Sequence, residues 1–363
     1  MNFQIKSKVM KMNNYFFLSP VALFVASFLL PQLSSAQDVH FSQMTETPLL
    51  LNPAEAGLGH DIQAILNYKD QWRSISSTSA YKTFNVSADI GLLKKQNGNR
   101  IGLGMDVFSD KAGDANMATT TGNLHLSGVL AANDQNLFSI GIYGGFGQSS
   151  MQYSNLYWDN QYDGMHYNSG LSSGEPQTFA NHTYVDFGAG AAWFYGKGHS
   201  TLSSHDARTF NLGFSVQHIN QPSYSFYGDN AQKLPMKFVA HGTGDIGIKN
   251  YNIVLEPTYI VMVQAGHHEI TAGMMFKYLM QDASKYTGRK KPSAFVLGGY
   301  YRFQDAFVIA TRYEFSNFSI GMSYDINMSN LKTASRSKGG FEVSLRFVNP
   351  SPFGKSASSK LFD

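Results

Sequence analysis

From about residue 60 onward, apolar and polar residues alternate one by one along much of the chain. Phe84-Asn85-Val86-Ser87-Ala88-Asp89-Ile90 does so without a slip. Phe210-Asn211-Leu212-Gly213-Phe214-Ser215-Val216-Gln217 does the same, and so do the stretches 318–326 and 341–347. Successive side chains on a strand point to opposite faces, so each stretch predicts a strand with one oily and one polar face. The oily faces are long and rich in Phe, Tyr, Met and Leu. The polar faces carry Gly, Ser and Asn, with Asp89, Asp106, Asp325, Glu342 and Arg346 spread among them, and charge on the strands reads as sparse. A soluble sandwich would also alternate, but its outer faces would carry more Lys and Glu. A lipid-facing wall around a crowded polar lumen fits better, and closing the sheet removes its exposed edges. The expected fold is all-β: a transmembrane antiparallel β-barrel of the outer-membrane type with about fourteen strands, twelve to sixteen being compatible.

The alternation also predicts a register. In the last strand Phe341, Val343, Leu345 and Phe347 should face lipid, and Glu342, Ser344 and Arg346 the lumen. Arginine at position 345 should then cost more than at 344. Turn signals at Gln96-Asn97-Gly98-Asn99, Ala131-Ala132-Asn133-Asp134, Gly196-Lys197-Gly198 and Gln304-Asp305 predict short periplasmic turns. Longer polar stretches at 157–181, 220–233 and 281–292 predict loops at the opposite end.

Two regions break the alternation. Residues 1–36 have Lys6, Lys8 and Lys11 before an almost wholly apolar run, then Ser34-Ser35-Ala36. This is the layout of a cleaved signal peptide, with the cut expected after Ala36; the run is short and broken by Pro20, which disfavours a membrane anchor. Residues 37–59 have neither period, yet hold Leu49-Leu50-Leu51 between Pro48 and Pro53. Left free, that cluster would expose apolar surface to water, and the prolines keep it out of the wall as a central strand. It is expected to be ordered in the periplasmic mouth or lumen, with Asn52-Pro53 as a fixed turn and His40, Gln43 and Glu46 meeting groups such as Asp89 or Arg346. The barrel is then 60–348, and 349–363 a tail.

Composition narrows the chemistry. The chain has 363 residues, 15% charged, 14% aromatic, with 34 Gly and no Cys. A zinc site built on Cys, a disulfide scaffold and a Cys nucleophile are therefore excluded. Three of the 28 basic residues lie in the predicted signal peptide, so the remainder balances the 25 acidic ones and offers no basic surface for nucleic acid. His267-His268-Glu269 is a poor metal site, because neighbours on a strand face opposite sides. Ser203-Ser204-His205-Asp206 has the letters of a triad, but triad members rarely lie side by side in sequence. Asp159-Asn160-Gln161-Tyr162-Asp163-Gly164 echoes a calcium loop, but Gly170 stands where its closing Glu belongs. No catalytic or cofactor site is expected, and the protein is read as not an enzyme.

Several blocks resemble a known family. Asp38-Val39-His40-Phe41-Ser42-Gln43, followed by Pro48-Leu49-Leu50-Leu51-Asn52-Pro53-Ala54-Glu55-Ala56-Gly57, resembles the opening signature of the PorP/SprF family of type IX secretion outer-membrane proteins of Bacteroidota. Tyr68-Lys69-Asp70-Gln71-Trp72, Asp110-Lys111-Ala112-Gly113, Asp186-Phe187-Gly188-Ala189-Gly190, His218-Ile219-Asn220-Gln221-Pro222 and Gly339-Gly340-Phe341-Glu342-Val343 follow in the family's order. Val39 replaces the usual Pro, and Glu55 stands where an apolar residue is common. The resemblance implies an outer-membrane location and a role in protein secretion, linked in the family to gliding motility. The implied partner is an adhesin-like secreted protein with a C-terminal sorting domain, together with periplasmic ring components of the machine. Among these signatures, Asp38, His40, Phe41, Ser42, Gln43, Asn52, Pro53, Gly57, Asp70, Gln71, Trp72, Asp110, Lys111, His218, Asn220, Gln221 and Pro222 are candidate partner contacts. Each also has a purely structural reading: Trp72 and Trp193 as interface aromatics, Asp110-Lys111 as a charge pair in a loop, Asn220-Gln221-Pro222 as a turn. The alternative function is a passive, porin-like solute channel.

Overall fold

The computed structural model describes residues 38–73, 80–95, 98–174, 181–198, 205–225, 232–281, 291–329 and 332–349. The expected signal peptide, Gln37, Gln96-Asn97, Ser203-Ser204 and the tail beyond Asn349 lie outside them.

Among the described residues fourteen strands form one closed antiparallel barrel in which each strand pairs with its sequence neighbours and β1 pairs with β14. They are β1 (Ile62–Gln71), β2 (Tyr81–Leu92), β3 (Arg100–Ala112), β4 (Met117–Asn133), β5 (Asn136–Ser150), β6 (His182–Lys197) and β7 (Arg208–Gln217). The second half comprises β8 (Lys237–Gly247), β9 (Ile253–Gln264), β10 (His267–Gln281), β11 (Ser293–Arg302), β12 (Ala306–Phe315), β13 (Phe318–Asn327) and β14 (Lys338–Asn349). Closure leaves no strand edge to satisfy, the condition for β-structure in lipid.

The two faces separate as the alternation requires. On β13 and β14, Phe318, Ile320, Met322, Tyr324, Phe341 and Leu345 point outward and are exposed, while Ser323, Asp325, Glu342 and Ser344 point inward and are buried. The lumen is not sparsely charged, as the composition suggested. Lys69, Asp89, Asp106, Glu256, Arg302, Asp325 and Glu342 are all inward and buried, and pairing across strands gathers charges that are scattered along the chain.

Because every connection joins neighbours, even- and odd-numbered connections fall at opposite ends. One end holds the start of β1 and the end of β14; we call it the turn end. The other, the loop end, carries the described residues 151–174 and 181 between β5 and β6, and 218–225 and 232–236 between β7 and β8. Two turn and loop expectations are corrected by this count. Gln304-Asp305, between β11 and β12, lies at the loop end, and the described edges of the 281–292 stretch, Gln281 and residues 291–292, lie at the turn end. Length alone misplaced them, since each end mixes short and long connections. Trp72 and Trp193 fall at opposite ends of the wall.

Candidate functional site

Residues 38–60 lie inside the barrel. Pro48 opens the single-turn helix α1 (Pro48–Leu51) and Pro53 the next turn, Pro53–Glu55; fixed φ and a missing N–H suit proline to both places. Asn52 between them is wholly buried. Its Oδ1 accepts from the Ala54 N–H at 2.9 Å, and its Nδ2 donates to the Ala191 carbonyl at 3.0 Å. The expected fixed turn at Asn52-Pro53 is thus a cap that also ties the segment to β6.

A segment without regular structure must still satisfy its backbone. Here the wall does it. Ser139 Oγ donates to the Ala54 carbonyl (2.7 Å), Ser127 Oγ to that of Ala56 (2.6 Å) and Gln217 Nε2 to that of Leu50 (2.6 Å). The N–H groups of Ser42 and Gln43 donate to the two oxygens of Glu342 (2.6 and 2.9 Å), and that of Gly57 to Asp89 (2.8 Å). The small polar residues on the inner face are therefore receptors for this segment. Its apolar side chains fill two patches of the wall. Ala54 and Leu58 pack with Val129, Leu137, Ala192 and Phe194, while Met44 and Leu51 pack with Val239, Ile260 and Met262. The segment is a plug, running from Asp38 at the loop end to His60 at the turn end.

Charged groups pin it along its length. At the loop end Asp38 Oδ2 meets His218 Nε2 at 2.9 Å, and His218 Nδ1 meets Asp186 Oδ2 at 2.9 Å. Burial works against both ionised forms, but the two carboxylates outweigh it and push His218 up to about 9. For Asp38, Lys237 and His218 likewise overcome burial and hold the carboxyl well below its usual range. His40 faces Glu269 at 3.1 Å. Lys69 Nζ lies 3.0 Å from Glu342, beneath Ser42, and Ser42 Oγ donates to Asp325 at 2.6 Å. Lower down, Glu46 reaches Arg312 (3.4 Å) and Arg346 (3.8 Å), and His60 meets Asp89. Of the contacts expected for this segment, Glu46 with Arg346 is present. Gln43 instead meets Glu342 and Ser344, and Asp89 is taken by Gly57 and His60.

The signature residues divide by place. Phe41, Ser42, Gln43, Asn52, Pro53 and Gly57 are buried in the plug, while Asp38 and His40 are partly covered. Asp70 is buried and Gln71 half-buried at the loop end of β1. Next to them Trp72 has φ 63°, donates its backbone N–H to the Gly339 carbonyl and stacks edge-on with Tyr81. Asp110 and Lys111 are not a loop charge pair. They lie on β3 facing opposite sides, Asp110 buried and accepting from Thr83 Oγ1 at 2.7 Å, Lys111 exposed. Asn220 is exposed, and its amide takes over from the ended strand β7 by bonding the Val185 carbonyl and the Phe187 N–H of β6. Gln221 is half-buried and Pro222 buried beside it.

Glu269 points inward to His40 and Arg302, and no group of three or more His, Cys, Asp or Glu among the described residues is placed to hold a metal. Asp163 closes a local turn by accepting from the N–H groups of Met165 and His166. Sequence reasoning missed the cluster of Arg312 with Glu256, Glu314 and Glu46. Its one legible sign was Arg312-Tyr313-Glu314, two charges on one strand face.

Comparison with known proteins places this geometry. Residues 33–347 match the family described as type IX secretion system membrane protein PorP/SprF. No curated protein matches. Among solved structures, the chain is similar to the Ralstonia pickettii toluene transporter TbuX, at 10% identity and TM-score 0.44 over 84% of this chain and 94% of that one. It is similar to CdiB from Acinetobacter baumannii at 8% identity and TM-score 0.42, over 79% of this chain; it spans 60% of the length of CdiB. An outer membrane channel from Pseudomonas putida F1 gives 11% identity and TM-score 0.38 over 86% and 99%. Likenesses this remote carry no argument about function. The match over nearly the whole barrel and plug does, and the chain belongs to the PorP/SprF family of type IX secretion system membrane proteins.

Proposed function

We propose that the protein is an outer-membrane barrel, delivered by cleavage of its signal peptide after Ala36, that serves the export or surface attachment of a partner protein. The partner in this reading is a large adhesin-like protein with a C-terminal sorting domain, and periplasmic ring components of the machine meet the turn end. Short turns and both barrel termini face the periplasm in such barrels, which puts the loop end outside. One observation carries the reading: the lumen is occupied by a segment whose polar groups the wall is built to receive. A barrel filled in this way is a poor passive channel, so its work falls to its ends and loops. At the loop end, Lys111, Asn220 and the exposed Tyr157, Tyr162 and Met165 offer the contact surface. Phe41, Ser42, Gln43, Asn52, Pro53 and Gly57 serve the plug rather than a partner.

The test is purification of the full chain from outer membranes in mild detergent, with conductance measured in planar bilayers. Co-purification of a large secreted protein, and a closed barrel that opens only when residues 38–57 are deleted, is the expected result. A steady conductance of the intact protein with no companion would favour the solute-channel reading.

A further inference from the structure

The plug fills the lumen unevenly. Its turn Pro53–Glu55 lies against β4–β6, and beneath the plug, toward the turn end, a cavity of about 700 Å³ is lined by residues of β1 and β6–β14. Glu46 and Glu55 of the plug line the cavity, and Arg312, Glu256, Glu314 and Lys277 stand on its walls. The wall charges satisfy one another. Arg312 Nη2 donates to both oxygens of Glu256 (2.9 and 2.7 Å), its Nε donates to Glu314 (2.9 Å), and Lys277 pairs with Glu314 at 2.5 Å.

Two plug atoms are left over. Glu46 Oε2 and Glu55 Oε1 are buried and accept no hydrogen bond, and both residues are more than nine-tenths buried. Arg346 Nη1 stands 3.8 Å from the first and the buried imidazole His241 Nε2 3.6 Å from the second, both beyond hydrogen-bond reach. A buried carboxylate oxygen without a donor carries its desolvation penalty uncompensated. A ligand bringing positive N–H donors supplies what is missing. The rest of the lining suits the stem of such a ligand: Met44, Leu51, Phe194 and Tyr300 offer apolar surface to methylene groups. The volume is in the range of small-ligand pockets, roughly 300–1,000 Å³.

We propose that this cavity binds an ammonium or guanidinium group, with Glu46 and Glu55 of the plug as the recognising carboxylates. Glu46 is also the plug's tie to Arg312 and Arg346, so a bound cation competes with the wall for it and loosens the plug. Two sources share this chemistry: a free polyamine and a Lys- or Arg-bearing segment of a periplasmic protein. That the cavity opens to the periplasm rests on the orientation proposed above; the binding itself does not.

The test titrates the full chain in detergent with spermidine and, separately, with an amidated arginine tripeptide, read by calorimetry. Protection of the plug from limited proteolysis is followed in parallel. Binding of at least one probe is expected, weakened about tenfold or more by Glu46→Gln and by Glu55→Gln. Saturation should raise protease access to residues 38–60. Preference for spermidine points to a free polyamine, and preference for the tripeptide to a protein segment. Thr258→Trp fills the cavity from the wall and leaves both carboxylates in place; it should abolish binding, and it decides the matter if a Gln variant loses its plug. Failure of both probes to bind at millimolar concentration overturns the proposal, as does binding that survives Thr258→Trp. Neither result bears on co-purification of a secreted protein, which tests the broader function separately.

Discussion

Asp38 and His218, 180 positions apart, meet at 2.9 Å and fasten the first described residue of the plug to the loop end of β7. His218 also holds Asp186, so one imidazole joins the plug, the end of β7 and β6. Its ring titrates at about 9, above the ordinary 6.5. A raised folded value means that the protonated ring stabilises the folded state fully below about pH 6.5, and that this is lost as pH rises through 9. Protease access to the plug's first residues should therefore increase between pH 7 and 10. His218→Asn should show high access at every pH, with the slope removed.

The Lys69–Glu342 pair lies at 3.0 Å with both side chains almost fully buried. Glu342 additionally accepts two plug N–H groups, one on each carboxylate oxygen. Lys69→Met strands a buried charge and should cost roughly 3–5 kcal/mol in urea titrations. Adding Glu342→Gln should recover part of it, with the remaining loss appearing as exposure of Ser42 and Gln43 to exchange.

Gly102 lies under the plug. A methyl group there would overlap the Ala56 carbonyl and Ser127 Oγ, whereas at Gly128 it would meet nothing within 4 Å. Gly102→Ala should therefore destabilise the plugged state by about 1–3 kcal/mol, and Gly128→Ala should not. Protection of residues 52–58 in hydrogen exchange separates the two.

Leu345 and Ser344 are neighbours on opposite faces, and the structure changes what their substitution should do. Leu345→Arg puts a charge into lipid and should cost ~2–4 kcal/mol of barrel stability near mid-membrane. The alternation alone makes Ser344→Arg the milder of the two, because position 344 faces the lumen. Ser344 is instead covered by the plug and donates to Gln43 Oε1 at 3.0 Å. Arginine there should displace the plug and leave the wall folded. Heat-modifiable mobility reports the first effect and proteolysis the second.

What could be read in advance follows the range of the interactions. Alternation in Phe318–Asn327 or Phe341–Phe347 is a local property of the chain, and it located strands and faces. The plug was legible as an apolar cluster between two prolines with no place in the wall. Pairings such as Asp38 with His218, or Arg312 with Glu256, depend on register between strands far apart in sequence, and no local pattern carries them. Charges therefore read as sparse along each strand although the barrel gathers them. Gln304-Asp305 was placed at the wrong end for a related reason: the end to which a turn belongs depends on every connection before it.

The wall that surrounds the plug has no seam open to the side, and the plug is joined to β1 at the turn end. It can leave only lengthwise. A pull applied near His60 first loads the attachments of Leu58 and Gly57 to Arg100 and Asp89. The load then passes to Asn52 and Glu46, and reaches Asp38 last. Mechanically this is a peeling geometry, in which small forces break ties in succession. A push on Asp38 instead drives the segment toward the cavity that Glu46 and Glu55 line beneath it. The ties are thus arranged in series along the segment, so that tension toward the turn end would part them one at a time.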